Sequence, residues 1–326
     1  MKENGKLHEI LNHNGFDASD IVPIKTGKFN SSYVCTIIKD AFGRLKENNK
    51  VVLRIAPSDD AGFIFYEKNM MAQEPAIHRI VSEKTSIPIA QIYTYDDSRA
   101  IIDHNFLIME FLTGTPLSEV MVDSHQRDRV MRQTGHYLRE LHDNCRTDKY
   151  GYLGEHNCME PQEMWHDAFK IMWNKLIDDI VRCAVYDNDE AKVAREAFDT
   201  HHHLFHRDVP SSLLHMDIWG QNILIDDSGT ITGIIDWDRA LWGDPEIEFS
   251  VLDYCGFNNP AFWAGYGCEP EKSPEFKIRM KLYHLYEVQK YLIIWTLRRG
   301  SPSRVMDYKQ YSQNALQELA SMKSFN

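Results

Sequence analysis

The feature that most constrains how this chain folds is a set of polar side chains placed between short apolar strands. One strand runs into His215 and Asp217, and a second strand begins directly after Asn222. The turn at 226–229 then reverses the chain, and the strand that follows delivers Asp236 beside the earlier loop. This order predicts a hairpin that brings two carboxylates and one amide together.

This combination of side chains suits phosphoryl transfer, in which the protein mainly positions a metal ion and orients the attacking hydroxyl. Asp217 is the predicted base, because a carboxylate is ionised at neutral pH and can accept the proton of an alcohol. Asn222 and Asp236 are the predicted magnesium ligands, since Mg²⁺ prefers carboxylate and amide oxygens and keeps several waters. His215 is expected to tie the loop by hydrogen bonds.

Two other interpretations of these residues stay open on the sequence alone. Polar residues occur by chance at strand ends, although this combination at hairpin spacing is rare. A hydrolytic metal site built on His215 and Asp217 would need further histidines, and the candidates are those at 201–203 with His206. Adjacent histidines on one helix point in different directions, so a solvated helix end is the favoured interpretation of that run.

The composition excludes several classes of protein. With 326 residues, 43% of them hydrophobic, the chain can form one big domain or two joined lobes. Its formal net charge of -12 disfavours nucleic acid and anionic membranes as partners and favours a cationic one. Six cysteines without a CxxC pair indicate reduced thiols. The polar first 16 residues and the lack of a run of ~20 apolar residues predict a cytoplasmic protein, and the oligomeric state stays open.

Hydrophobic patterning divides the chain into two parts. β-rich runs predict strands at 34–38, 51–55, 89–95 and 100–111, and helical spacing predicts helices at 63–83, 118–144, 161–198 and 276–297. Pro75 implies a kink or a fresh helix start within the first of these helices. The turn-rich segment 113–116 is the predicted boundary between the two parts.

The segment around Asp217 is also similar to a known family. Its runs LLHMDIWGQNILID and ITGIIDWDRALWGDPEIEF resemble the aminoglycoside phosphotransferase and choline kinase-like family, a branch of the protein-kinase fold. The resemblance implies an α+β, bilobal protein-kinase-like fold, with an N-terminal antiparallel sheet and one main helix before a larger, mostly helical C-terminal lobe. Residues 1–112 would be the nucleotide-binding lobe and residues 113–326 the catalytic and substrate-binding lobe.

The resemblance implies the same roles for Asp217, Asn222 and Asp236 as the residue chemistry does, and it implies a structural turn at 243–245. One departure is Met216, because the family most often has glycine between the histidine and the aspartate. This substitution is expected to alter loop packing rather than to remove a ligand.

The resemblance further implies ATP or GTP as the phosphoryl donor, bound together with Mg²⁺. The loop at 27–32 would hold phosphate oxygens through backbone N–H groups and the hydroxyls of Ser31 and Ser32, although a bare turn between strands is an open alternative. Arg54 stands where kinases usually place a phosphate-binding lysine. A guanidinium can hold phosphate oxygens through two donors, with a different required geometry.

Two more nucleotide contacts follow from the resemblance. Glu74 is the implied partner of Arg54 on the first helix, with Glu67 in reserve. The segment 106–113 resembles the hinge between kinase lobes, where adenine would hydrogen-bond to the backbone around Glu110 and Leu112.

The acceptor is predicted from charge. Residues 236–253 contain six acidic residues and one basic residue, Arg239, and such a negative field attracts cations. Asp238, Glu246 and Asp253, together with Glu248, are the candidates to bind ammonium groups. They favour a small hydroxyl-bearing substrate that is cationic, such as an aminoglycoside-like or other sugar-containing antibiotic. The alternative is that Asp244 and Glu248 satisfy backbone N–H groups or pair with Arg239, and that acidic clusters are ordinary on the surface of a chain with a net charge of -12.

Two other functions stay open. A metabolite kinase for choline, homoserine or a sugar would use more aromatic lining, for which the candidates are Tyr254, Trp263, Tyr266 and Trp295. A non-catalytic nucleotide-binding module would keep the fold without turnover. The presence of Asp217, Asn222 and Asp236 argues against the module.

Overall fold

The computed structural model describes residues 2–25, 29–46, 49–58 and 62–322. These residues form two lobes, with a five-stranded sheet in the first and mainly helices in the second. The predicted α+β class and the two-lobed arrangement are confirmed.

The first lobe is built on one antiparallel sheet of order β1-β2-β3-β5-β4. Its strands are β1 (Phe16–Ile24), β2 (Ser31–Asp40), β3 (Lys50–Ile55), β4 (Ile92–Asp96) and β5 (Phe106–Glu110). β2 and β3 pair in the predicted hairpin, with Val34 opposite Val52. Cys35 and Leu53 are among the residues that form the core on one face of the sheet. These strands could be predicted from their β-rich runs because the residues on that face are apolar.

A helix that the sequence pattern did not reveal packs on this sheet. α1 (Lys2–His13) buries Leu7, Ile10 and Leu11, which lie at i, i+3 and i+4 on one helix face. These side chains join the core that includes Phe16. Three apolar residues among polar neighbours are a weak signal, so only the packing identifies this helix.

The main helix of the first lobe begins later than its periodicity predicts. α2 (Glu74–Lys84) has Pro75 in its first turn, so the proline starts a fresh helix. Residues 62–69 are loop and turn, and a 3-10 turn at Met70–Gln73 leads into α2.

Seven α-helices form most of the second lobe within the described residues. They are α3 (Ser124–Asn144), α4 (Trp165–Arg182), α5 (Asn188–His201), α6 (Pro245–Tyr254), α7 (Pro260–Tyr266), α8 (Pro274–Ile293) and α9 (Pro302–Ser321). α3 starts after Asp123, whose side chain caps the helix in a capping box with Gln126. α8 continues as a π-helix over Ile294–Arg298. None of the helices in the described ranges is long and apolar enough to span a bilayer.

Two small antiparallel sheets position the central loop of the second lobe. Their strands are β6 (Thr115–Pro116), β7 (Arg146–Thr147), β8 (Ser211–Leu214), β9 (Ile223–Ile225), β10 (Ile231–Ile234) and β11 (Leu241–Gly243), in the orders β10-β9-β6 and β11-β8-β7. The predicted hairpin is β9 and β10. β6 pairs with β9, which joins the turn-rich segment 113–116 to this hairpin.

The segment 62–73, which we call the strap, connects β3 to α2 and packs into the second lobe. Ile64 and Tyr66 are buried in the same core as Trp165 of α4. The backbone N–H of Phe65 donates to Asp179 Oδ2 at 2.6 Å. Packing therefore attaches this part of residues 1–112 to the helical lobe.

Candidate active site

The loop between β8 and β9 holds Asp217, Asn222 and His215 in one hydrogen-bonded unit. Asn222 Nδ2 donates to the backbone oxygen of Asp217 at 2.9 Å and to its Oδ2 at 2.8 Å. Buried His215 contacts the backbone oxygen of Ile235 through Nε2 at 3.1 Å and accepts the backbone N–H of Asp217 at Nδ1 at 3.2 Å. Both ring nitrogens are therefore engaged in holding the loop.

Met216, between these two residues, has a left-handed backbone with φ of 64° and is fully buried. Glycine adopts this conformation without strain, which explains why glycine is the usual residue at this position of the family pattern. Here the Met216 N–H donates to Glu248 Oε1 at 2.7 Å, and its side chain joins the core. The contacts around the loop thus stabilise a conformation that is costly for methionine.

Asp236 lies just beyond β10, also with a left-handed φ of 69°. Its side chain is 41% exposed, and its Oδ1 accepts a hydrogen bond from Arg54 Nη2 at 2.8 Å. Asn222 uses Nδ2 to bind Asp217, and no described residue donates to its Oδ1. An amide oxygen and a carboxylate are donors that suit Mg²⁺, which keeps several waters in addition.

Arg54 is buried at the centre of an ion cluster that joins the lobes. Its Nη1 contacts Glu74 Oε2 at 2.5 Å, and its Nη2 contacts Asp236 at 2.8 Å and Asp238 at 3.3 Å. We call these four residues the Arg54 cluster. Glu67, the reserve partner, instead pairs with Arg298 and accepts the N–H of Ile64.

The Arg54 cluster contains three carboxylates and one guanidinium. Burial raises the pKa of Glu74 to about 7 despite its ion pair with Arg54, and the charge of Asp236 adds to the shift. Burial, followed by the charges of Asp236 and Glu74, raises the pKa of Asp238 well above its usual range. The pKa of Arg54 is raised because these carboxylates outweigh its burial. The cluster therefore has more carboxyl groups than cations, and the raised pKa values show that ionising all of them together is unfavourable.

The described end of the phosphate-loop segment lies beside the Arg54 cluster. Gly27 and Lys28 lie outside the described residues. Asn30 Nδ2 donates to Asp238 Oδ2 at 3.2 Å. Ser31 and Ser32 begin β2, with Ser32 opposite Arg54 across the sheet.

The hinge segment leaves a backbone donor available. The N–H of Glu110 donates to the Gln91 oxygen at 2.8 Å, and its carboxylate accepts the Gln91 N–H at 3.1 Å. Among the described residues, none accepts a hydrogen bond from the N–H of Leu112. The Leu112 side chain approaches Gly233 of β10, the strand that leads to Asp236.

Most of the predicted acceptor carboxylates bind protein groups instead. Asp238 is 4% exposed within the Arg54 cluster. Glu246 is 8% exposed and accepts two hydrogen bonds from Arg279, at 2.7 and 2.9 Å. Glu248 contacts His142 Nε2 at 2.7 Å. This burial corrects the prediction of an acidic face, because these three side chains are satisfied inside the protein.

Asp253 differs from the other acidic candidates because it is exposed at the end of α6, where it accepts a hydrogen bond from Asn258 at 2.8 Å. The neighbouring Tyr254 is 47% exposed and lies 6.2 Å, between ring centroids, from Tyr291 of α8. Burial raises the pKa of Tyr291 to about 12, and the charge of Asp217 contributes to the shift. Tyr291 therefore lies within electrostatic range of the predicted base, and Tyr254 is its neighbour.

The other aromatic candidates lie elsewhere. Trp263 and Tyr266 belong to α7, which packs on α3, and their rings contact Phe249. Trp295 lies in the π-helix that follows α8. Of the four aromatic candidates, Tyr254 is the one whose ring lies near Tyr291 in the described part of the chain, and Tyr308 stacks on Tyr291 as well.

The histidine run does not support a hydrolytic metal site. His201 is buried and contacts the Leu319 backbone oxygen, whereas His202 packs with His166 and His206. Because His201 is buried, the expectation that the whole run is a solvated helix end is wrong. In the described part of the chain, no three His, Cys, Asp or Glu side chains are arranged to hold a metal.

Sequence reasoning missed a second buried arginine cluster. Arg239 Nη1 donates to the Met216 oxygen at 2.7 Å and lies 3.4 Å from Asp217 Oδ1. Its Nη2 contacts both oxygens of Glu287 in α8 at 3.2 Å, and Lys290 Nζ donates to Glu287 at 2.7 Å. The three-residue spacing of Glu287 and Lys290 was visible, but nothing in the sequence connects them to Arg239.

Comparison with known proteins gives one family and several relatives. Residues 38–267 match the model of the phosphotransferase enzyme family. A ketosamine-3-kinase from Mus musculus is 33% identical over 103 residues, which cover 30% of this chain and 31% of that protein. The aligned part is therefore less than a third of the mouse protein.

Solved structures share the whole fold. A thermostable mutant of aminoglycoside phosphotransferase APH(4)-Ia in its apo form has a TM-score of 0.66 and 16% identity, covering 97% of this chain and 99% of that one. The same enzyme in a ternary complex with AMP-PNP and hygromycin B has a TM-score of 0.67, with the same identity and coverage. A protein from Haemophilus somnus 129PT, assigned as a fructosamine-3-kinase, has a TM-score of 0.64 and 16% identity, covering 96% of both chains. At these identities the similarity establishes the fold alone.

Proposed function

This chain belongs to the phosphotransferase enzyme family and has its kinase-like fold, and from that premise we propose that it is an ATP- and Mg²⁺-dependent small-molecule kinase. It transfers the γ-phosphoryl group of ATP to a hydroxyl of its acceptor. The observation that carries the proposal has three parts. Asn222 binds Asp217, and the N–H of Ile235, next to Asp236, donates to the Asn222 backbone oxygen at 3.0 Å. Arg54 then joins Asp236 to Glu74.

In the proposed reaction, Asp217 accepts the proton of the acceptor hydroxyl. The acceptor oxygen forms a bond to the γ-phosphorus while the bond from that phosphorus to the bridging β,γ-oxygen breaks, which leaves ADP. Asn222 orients the base through its hydrogen bond to Oδ2, so Oδ1 remains for the acceptor. His215 and Met216 fix the loop that carries this carboxylate.

The proposed metal ligands are Asn222, through its amide oxygen, and Asp236. Bound Mg²⁺ would neutralise charge on the phosphate oxygens. The three carboxyl groups that share one guanidinium in the Arg54 cluster support a cation at this place, because a bound cation would favour their ionised form. Arg54, Ser31 and Ser32 are the proposed phosphate contacts, with Glu74 holding the guanidinium.

Adenine is proposed to bind at the hinge, to the backbone oxygen of Glu110 and the N–H of Leu112. The unused N–H of Leu112 supports this assignment. Two solved structures of APH(4)-Ia variants contain AMP-PNP or ADP, which supports an adenine nucleotide as donor. In this proposal residues 1–112 bind the nucleotide and residues 113–326 bind the acceptor, with the strap as a shared element.

The proposed acceptor is a sugar that carries an amine, the chemistry common to ketosamines and aminoglycosides. The mouse relative is a ketosamine-3-kinase, and the APH(4)-Ia complex contains hygromycin B. Asp253 is the proposed partner of the ammonium group, and Tyr254 is a neighbouring surface for the sugar ring.

One observation favours a metabolite such as a ketosamine over a polycationic antibiotic as acceptor. Asp238, Glu246 and Glu248 are all buried and paired inside the protein, which leaves Asp253 as the exposed member of the predicted acidic set. A single exposed carboxylate suits one ammonium group better than several. Phosphorylation of an aminoglycoside-like antibiotic, and resistance through it, remains the second candidate function.

The test is ADP release by the purified protein over a panel of acceptors. The panel contains ketosamines, aminoglycosides, hygromycin B, macrolides, choline, homoserine and methylthioribose. We expect the highest kcat/KM with a singly charged sugar amine. A preference for polycationic aminoglycosides would support the antibiotic function, and ADP release that no acceptor stimulates would contradict the kinase proposal.

A further inference from the structure

Arg239 bridges the loop that carries Asp217 and helix α8. It is 9% exposed, and Nη1 donates to the Met216 backbone oxygen at 2.7 Å. The same nitrogen lies 3.4 Å from Asp217 Oδ1, while Nη2 contacts both oxygens of Glu287 at 3.2 Å. The guanidinium also lies over the ring of Tyr66 in the strap, 5.5 Å from its centroid. These contacts fix Arg239 from several sides.

Glu287 is a buried carboxylate to which the proposed reaction gives no role. It is 5% exposed, and Lys290 Nζ donates to it at 2.7 Å. Burial opposes its ionisation, but Arg239 and Lys290 outweigh burial and hold its pKa below the usual range. Glu287 is therefore a negative charge between two cations.

The distances show how Arg239 divides its contacts between the two carboxylates. A charge-assisted N–H···O bond measures about 2.7–2.9 Å, so the contacts to Glu287 at 3.2 Å and to Asp217 at 3.4 Å are all long. Arg239 meets both oxygens of Glu287 but one oxygen of Asp217, and the Asp217 contact is the longest of the three. Arg239 and Lys290 balance the charges of Glu287 and Asp217. Without the charge of Glu287, Asp217 would be the remaining carboxylate within reach of Arg239.

We propose that Glu287 is a positioning residue that holds Arg239 back from the proposed base, Asp217. From this distance the arginine orients the carboxylate and leaves Oδ1 able to receive the acceptor proton. A closed pair would cover Oδ1 and pull Asp217 away from Asn222, which binds its other oxygen at 2.8 Å. The inference rests on the proposed role of Asp217 as base.

The first test compares Glu287→Gln with Glu287→Asp, using the best acceptor from the panel. The glutamine keeps the size and removes the charge, so Arg239 closes onto Asp217. We expect kcat to fall roughly tenfold while the KM for ATP and the Kd for Mg-ATP stay within about twofold. Glu287→Asp keeps the charge and should recover most of kcat. Equal losses in both variants, or a kcat for Glu287→Gln that matches the wild type, would overturn the inference.

Glu246→Gln is the matched control. Glu246 is also a buried glutamate held by an arginine, Arg279, and it has no contact with Asp217 or Arg239. Its loss should lower the melting temperature without lowering kcat below that temperature. If Glu246→Gln lowers kcat as much as Glu287→Gln does, a general packing defect explains both variants.

A double-mutant cycle tests whether Glu287 acts through Arg239. Glu287→Gln should have little further effect on kcat in an Arg239→Gln background, because the arginine that it restrains is absent. Additive losses would contradict the inference. A crystal structure of Glu287→Gln should show the distance from Arg239 to Asp217 shortened to about 2.8 Å. An unchanged distance together with a lower kcat would also contradict it.

Asp217→Ala separates failure of this inference from failure of the proposed function. Loss of turnover in Asp217→Ala with an additive double-mutant cycle would reject only the role of Glu287. Near-normal turnover in Asp217→Ala would reject the assignment of the base itself.

Discussion

Two buried arginines, one from each lobe, contact the proposed functional carboxylates in different ways. Arg54 contacts Glu74 from α2 and then Asp236, and Arg239 contacts Glu287 from α8 and lies near Asp217. The Arg54 cluster has three carboxylates for one cation. The group around Arg239 has two carboxylates and, with Lys290, two cations. The Arg54 cluster is thus suited to bind a further cation, whereas the charges around Arg239 balance without one.

This contrast shows that a buried arginine beside an aspartate does not define one role. An uncompensated negative cluster is costly until a cation binds, whereas a balanced cluster is complete within the protein. The proposed metal ligand Asp236 belongs to the Arg54 cluster, and the proposed base Asp217 lies beside Arg239, where the charges balance. Substitutions should therefore have different consequences at the two arginines.

The largest effect is expected beside Arg239, from Asp217→Ala. Removal of a general base typically costs about 10²- to 10⁴-fold in rate, so turnover should fall by at least that amount. Mg-ATP binding, measured by calorimetry, should remain largely unchanged because the proposed metal and phosphate contacts are intact. Near-normal turnover would show that another group accepts the proton.

Asp236→Asn tests the Arg54 cluster. Mg-ATP affinity should fall about tenfold or more, because a proposed metal ligand is weakened. Without Mg²⁺ the same change should alter the free energy of unfolding by less than about 1 kcal/mol, since it weakens the ion pair of Asp236 with Arg54 and also removes its repulsion of Glu74 and Asp238.

Glu287→Gln is the control for this stability effect. It removes the negative charge that pairs with Arg239 and Lys290, so it should lower the free energy of unfolding. Urea unfolding with and without Mg²⁺ measures both variants. Unchanged Mg-ATP affinity in Asp236→Asn would count against its role as a ligand.

Acid should destabilise the protein through histidines whose pKa is lowered by burial, and one of these is the half-buried His156, close to the residues around Arg239. Its ring packs 6.0 Å from Tyr152, which stacks on Tyr66, and burial lowers its pKa to about 4. The unfolded chain then binds more protons between pH 6.5 and 4, so stability is present above pH 6.5 and is lost as pH falls through this window. At pH 5 the loss from one such histidine is about 2 kcal/mol.

His156→Gln should therefore lose less stability than the wild type between pH 7.5 and pH 5 in urea titrations. Glu74 shifts in the opposite direction, because its raised pKa makes the folded state bind more protons between its ordinary value of 4.5 and about 7. Acidification through that window thus favours folding at the Arg54 cluster. Equal pH slopes for the wild type and His156→Gln would contradict the assignment to His156.

The smallest effect is expected at the surface, from Asp253→Asn. An exposed carboxylate contributes about 0–1 kcal/mol to an ion pair, so the KM of a cationic acceptor should rise only a few-fold. Added salt should reduce the difference between the variant and the wild type. The KM for ATP serves as the internal control. A similar rise in KM for a neutral acceptor would show that Asp253 acts through structure rather than charge.

Several elements could be predicted because their signals are local. The strands β2 and β3 carry β-rich runs, and the hairpin β9–β10 is marked by its turn at 226–229. The proximity of Asp217, Asn222 and Asp236 follows from that hairpin, so the sequence predicted it before any packing was known. Glu74 as the partner of Arg54 was implied by the family resemblance, and the two residues are in contact.

The predictions that the structure corrected, and the elements that the sequence pattern missed, have a common physical cause. Asp238, Glu246 and Glu248 look like a charged surface in the sequence, but burial pairs them with groups from distant parts of the chain. α1 and the strap could not be predicted for the same reason. Their few apolar residues are buried only by packing against the sheet or against the second lobe.

The sequence by itself determined the hairpin and the identity of its polar residues, because these depend on neighbours within about a dozen positions, whereas the fold class was implied by the family resemblance. The tertiary structure alone decided which carboxylates are free and which are neutralised. Charge pairing depends on distance in space and on burial, and Arg239 meets Glu287 across 48 residues of sequence. That contact separates the balanced cluster at Asp217 from the negative cluster at Asp236.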